Sequence, residues 1–208
     1  MGPKAGRRSR PSGGGDLTLP IGKSSLLEAP DSLETERLLL RQFLETDLDL
    51  YARICADPEV MRQIGDGRTL TREETWRSVA TSLGHWVLRG YGLYAVEERA
   101  TGSFIGRIGL INPEGWPGLE AGWLLGRQHW GRGYATEGAR AVVRMAYEDL
   151  GATHLISLIQ PGNAASIRVA EKLGAVREST IEMSGGPAHI FAYGGPPPDP
   201  TLLLPPPA

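Results

Sequence analysis

The chain has 208 residues, 40% hydrophobic and 22% charged, which suits one globular domain with tails rather than several domains. Its formal net charge of −2 is uneven: Lys4, Arg7, Arg8 and Arg10 stand near the start, and the acidic remainder argues against a nucleic-acid-binding body. A single cysteine, Cys55, excludes an intramolecular disulfide and favours a reducing, cytoplasmic setting; the histidines lack zinc-ligand spacing, and no window is apolar enough to span a bilayer.

Composition separates the ends from the middle. Of 16 prolines, 11 lie outside residues 31–194. Residues 1–30, opening "MGPKAGRRSRPSGGGD", and residues 195–208, ending in a proline-rich run, are expected to be flexible tails around a domain at 31–194. Within that domain "ERLLLRQF" (36–43) reads as a strand. Thr46 or Asp47 caps a helix that the pair Asp57-Pro58 breaks, and "PEVMRQIG" gives a short turn ending at Gly65. Thr71 with Glu74 forms a capping box for a longer helix ending at Gly90, with Trp76, Val79, Ala80, Leu83 and Val87 on its apolar stripe.

Strands follow at 91–98 and 103–111, joined by a turn at Thr101-Gly102, and at 119–125. Next come the loop "QHWGRGYAT" and a helix with Ala135, Ala139, Val142, Val143, Ala146 and Leu150 on one face, stopped by Gly151. "HLISLI" is a buried strand, "NAASIRVAEKLG" a helix capped by Asn163, and 175–181 and 189–193 are the last strands. The order is β-α-α-β-β-β-α-β-α-β-β, a mixed α/β domain.

A strand that runs into Gly131, Gly133 and a helix start has the geometry of an anion site, because first-turn N–H groups are unpaired and the helix dipole is positive there. The spacing is neither the dinucleotide fingerprint nor a P-loop. Taken alone it is equally a plain turn. However, Gln128-x-x-Gly131-x-Gly133-x-Ala135 resembles the acyl-CoA pyrophosphate loop of the GNAT acetyltransferases, Q/R-x-x-G-x-G/A. "LETERLLLRQF", "DPEVMRQIG", "GYGLYAVEE…TGSFIGRIGL" and "NAASIRVAEKLGA" then follow the order and approximate spacing of the RimJ/RimL-like branch, over about residues 31–193.

The resemblance implies a mostly antiparallel central sheet flanked by helices, acetyl-CoA as co-substrate without a metal, and an amine acceptor. Members of that branch acetylate protein N-termini, notably of ribosomal proteins, or small amines. It assigns the pyrophosphate to Gln128, His129, Trp130, Gly131, Arg132, Gly133, Tyr134 and Ala135, and the pantetheine arm to the main chain of Trp123, Leu124 and Leu125 and to Asn163. A monomer or homodimer without membrane or nucleic-acid partners is expected.

Acetyl transfer from a thioester to an amine requires removal of the amine proton, stabilisation of the carbonyl oxygen and, where needed, a proton for the thiolate. By the resemblance Glu120 is the base, with Glu178 or Glu182 as substitutes. The family's usual acid tyrosine is replaced here by Ala170; the RimJ/RimL-like branch often lacks that tyrosine, and the resemblance gives its role to the serine, here Ser166. Trp116 and Tyr91 are the expected acceptor contacts. The missing tyrosine also keeps open a different class, a non-catalytic acyl-CoA-binding module.

Overall fold

The computed structural model describes residues 28–197. The expected flexible tails therefore lie largely outside the described residues. The near end of the first is packed, however: Ala29 is buried and its N–H donates to the Gly90 carbonyl, and the Tyr94 hydroxyl donates to the Pro30 carbonyl.

Among the described residues eight strands form one sheet: β1 (Ser32–Glu34), β2 (Leu38–Arg41), β3 (Leu93–Glu98), β4 (Ser103–Ile111), β5 (Glu120–Leu125), β6 (Leu155–Ile159), β7 (Ala175–Met183) and β8 (Gly186–Tyr193). Their order is β1-β2-β3-β4-β5-β6-β8-β7, antiparallel throughout except between β5 and β6. That one parallel contact needs a crossover, which α4 (Tyr134–Glu148) supplies. The remaining helices are α1 (Leu48–Cys55), α2 (Pro58–Met61), α3 (Arg72–Arg89) and α5 (Ala164–Lys172). None of these helices is long and apolar enough to cross a membrane.

Strand alternation divides the core in two. Tyr94 and Val96 on β3 and Ile108 and Leu110 on β4 pack with Ala139, Val142, Val143 and Ala146 of α4. On the opposite face Leu93, Ala95 and Leu124 pack with Leu48, Tyr51, Ile54 and Cys55 of α1 and Val60 and Met61 of α2. Cys55 is thus a small apolar core residue.

The expected order is present with two short elements added: α2, where the sequence predicts a turn, and β1, which pairs with β2 as a hairpin. Three residues are too short a run for alternation to declare itself. Two further expectations are corrected. Asp47 does not cap α1; its buried carboxylate makes two contacts with Arg41, at 2.7 and 2.9 Å, and accepts from the Leu44 N–H. On α3 the capping box and Gly90 stand as read, but the buried stripe is Thr75, Val79, Ser82 and Trp86, while Trp76 and Val87 are 54% and 62% exposed. The sheet decides this: Ser82 and the Trp86 indole both donate to the Leu93 carbonyl, a bond that an aliphatic stripe cannot make.

Candidate active site

The loop after β5 turns through a short 3-10 segment, Arg127–His129, before α4 begins. Gly131 and Gly133 have φ of +74° and +83°, the left-handed region where a β-carbon is strained. Both are exposed, and no atom lies within 4 Å of where a Gly131 β-carbon would stand. The bared main chain leads into the first turn of a fifteen-residue helix, whose leading N–H groups have no intrahelical acceptor.

Arg37, just ahead of β2, holds this loop in place. Its guanidinium donates to the Arg132 carbonyl at 2.9 Å and to Glu137 Oε2 at 2.6 Å, and it lies 4.7 Å from the centre of the Tyr134 ring. Glu137, on the first turn of α4, also accepts from the Arg37 N–H and the Thr35 hydroxyl. The Tyr134 hydroxyl donates to Glu98. The N-terminus of α4 is therefore tied to β2 and β3 from several directions.

Beside the loop the sheet opens. Along β5 only Glu120 is paired with β6, opposite Ile156, and from there the strands diverge. Where the ladder stops, the buried Ser157 hydroxyl donates to the Ala121 carbonyl at 2.5 Å. Two cavities occupy the opening. One, of about 440 Å³, is lined by the end of β5, the loop and the start of α5; the other, of about 290 Å³, by Glu120, Trp116, Arg107 and the β7–β8 turn. They share Ile64, Trp123, Asn163 and Ser166, so they meet there.

Glu120 is 8% exposed. Burial pushes its carboxyl up to about 7, against the opposing pull of the Trp116 indole, the Leu158 N–H and Arg107. The Trp116 Nε1–H donates to Oε2 at 2.7 Å. Across the junction the Trp123 Nε1–H donates to Ser166 Oγ at 3.2 Å, which leaves the serine's own proton available. Asn163 caps α5 by accepting the Ser166 N–H at 3.1 Å, so its side-chain NH₂ remains a donor. Ala170, one turn beyond Ser166 on α5, is fully buried in the first core and lines neither cavity.

Most of the residues expected at the site come together. Trp123, Leu124, Leu125, His129, Trp130, Gly131, Gly133, Tyr134, Ala135, Asn163 and Ser166 line the first cavity, and Glu120 and Trp116 the second. Gln128 and Arg132 line neither; both are exposed, and Arg132 contributes its carbonyl to Arg37. Tyr91 also lines neither. It packs on the α4-side core, edge-on to His85 at 5.2 Å, on the face opposite the one that carries Glu120. Glu178 is exposed and 3.5 Å from His154, and Glu182 is exposed on β7.

Sequence reasoning missed several cations. Arg168 and Lys172 line the first cavity, at i and i+4 on the α5 face that begins with Ala164; that spacing was the available signal. Arg37 and Arg107 left none, because their roles depend on distant strands. His129 carries a buried Nδ1 with no hydrogen-bond partner at the wall of the same cavity.

Residues 37–176 match the model of the acetyltransferase (GNAT) domain. The chain therefore belongs to the GNAT acetyltransferases. It is 32% identical over 172 residues to the FsC-acetyl coenzyme A-N(2)-transacetylase of Aspergillus fumigatus, covering 74% of this chain and 69% of that one. The crystal structure of an acetyltransferase from Agrobacterium tumefaciens superimposes with a TM-score of 0.71 at 32% identity, over 83% of this chain and 99% of that chain. A more distant structure shares the fold at 16% identity with a TM-score of 0.64, over 79% of this chain and 96% of its own: RimL, a ribosomal L7/L12 alpha-N-protein acetyltransferase solved in complex with coenzyme A.

Proposed function

We propose that this acetyltransferase moves the acetyl group of acetyl-CoA to a primary amine, either a protein or peptide N-terminus or a small amine. The observation that carries the reading is the meeting of two cavities at Trp123, Asn163 and Ser166, with Glu120, its carboxyl near 7, lining the smaller one. The larger cavity takes the donor. Its glycine-bared loop and helix start receive the pyrophosphate, and Arg168 and Lys172 add positive charge. The pantetheine arm lies along β5 beyond Glu120, where the main chain has no strand partner on the β6 side and can polarise the thioester carbonyl.

Glu120 takes the proton that the acceptor amine must lose. A base whose pKa is close to neutral is half ionised where it works and releases the proton readily afterwards. Ser166, accepting from the Trp123 indole, gives its own proton to the departing thiolate. Asn163 orients the pantetheine through its free NH₂.

Thiol release from acetyl-CoA over a panel of small amines and peptides differing at the first residue tests the reading, with the acetylated product detected by mass. Release that requires an amine, with label appearing on it, is expected. Saturable acetyl-CoA binding with no release over the whole panel would mark a non-catalytic acyl-CoA-binding module instead.

A further inference from the structure

Arg107 stands where strand alternation calls for an apolar residue. On β4 it is opposite Ala95 of β3 and Leu124 of β5, both members of the α1-side core. A guanidinium in such a place is costly unless its N–H groups find acceptors. The Nε–H has one, the Tyr51 hydroxyl oxygen at 2.8 Å. Among the described residues Arg107 makes no ion pair, unlike Arg41 on the neighbouring strand pair, which is closed by Asp47 and Glu97.

The half-buried side chain instead lines the acceptor cavity, where Arg107 is the one cation and Glu120 the one anion among the described lining residues. Gly122 lies between them. A β-carbon on it would stand 3.6 Å from Glu120 Oε1 and 4.0 Å from Arg107 Nη1, so the carboxylate and the guanidinium face the same small volume. Glu120 Oε2 is occupied by Trp116, and Oε1 is the oxygen on the Gly122 side. An acceptor with only an ammonium would meet repulsion from Arg107 at this range, and a neutral one would leave guanidinium N–H groups without acceptors.

We propose that the acceptor carries a carboxylate close to its amine, with Glu120 receiving the amine end and Arg107 the carboxylate end. This rests on the acetyltransferase reading above and narrows its substrate class. The carboxylate belongs either to a free amino acid or to an acidic first residue of a peptide; both offer the same fork-shaped acceptor to an arginine.

Matched acceptors test it: amino acids against their amides, and amidated dipeptides beginning with Asp or Glu against those beginning with Asn or Gln. The wild-type protein is expected to favour the carboxylate member of one set by about tenfold or more in kcat/KM, mainly through KM, and the set that shows it identifies the source. Arg107→Gln should bring that ratio close to one, and Arg107→Lys should retain part of it, with melting temperature and acetyl-CoA titration as checks of folding. A wild-type protein without preference in either set overturns the proposal, as does a preference that survives Arg107→Gln. Should that variant not fold, the wild-type ratio and Arg107→Lys decide. If amides and carboxylates are acetylated equally, this inference alone fails. If no amine is acetylated, the acetyltransferase reading fails and takes this one with it.

Discussion

Replacing Glu120 with Gln is expected to lower kcat by roughly 100-fold or more while leaving acetyl-CoA affinity unchanged. The amide keeps the size of the side chain and can still accept from the Trp116 indole, but it cannot take a proton. With the carboxyl raised to about 7, the wild-type kcat/KM should climb with pH through neutrality, and in the variant that limb should flatten. Stability responds to the same carboxyl independently of activity. A carboxyl whose folded pKa lies above its unfolded value binds its proton more tightly when folded, so it contributes stability at low pH that is lost as pH rises through 7. Glu120→Gln removes that loss, and its melting temperature relative to wild type should improve as pH rises from 5 to about 8. A full-rate variant with an intact acid limb would remove Glu120 from the chemistry and leave positioning and the oxyanion site to account for the rate.

Gly133→Val is the second large effect. At φ +83° a branched side chain is strained by roughly 1–2 kcal/mol, and its β-carbon would stand 3.4 Å from the Arg37 guanidinium that holds the loop. It also projects a side chain from the main chain that the pyrophosphate must approach. Acetyl-CoA affinity is expected to fall by at least about tenfold, equivalent to about 1.4 kcal/mol, with only a modest drop in melting temperature because the residue is exposed and outside both cores. Unchanged calorimetric titration by CoA would place the phosphates elsewhere.

What was legible in the sequence follows from how local each signal is. The Thr71–Glu74 box, the Asn163 cap and the Thr101-Gly102 turn between β3 and β4 are written within a few neighbouring residues, and the structure shows them as read. The exposed Trp76 and the buried Thr75 and Ser82 were not legible, because which side of α3 meets the sheet depends on the Leu93 carbonyl arriving from β3. At the site, the loop's glycines and the cap at Asn163 carried their own signal. Arg37 did not, since its partner Glu137 is one hundred residues away. Tyr91 failed for a related reason: an aromatic at a strand end belongs to either face, and here it packs on the α4 side. Arg107 reads as an ordinary charge in "SFIGRIGLI" until β3 and β5 are laid on either side of it.

The proposed cradle for the donor's phosphates is the main chain at the start of α4, where amide hydrogen exchange reports binding residue by residue. In the free protein the N–H groups of residues 131–136 include the leading amides of the helix, which have no intrahelical acceptor and should exchange fast. Saturating acetyl-CoA is expected to slow exchange across 131–136, with α3 unaffected. Saturation that leaves those amides as fast as before, or that protects a different segment instead, would contradict the account.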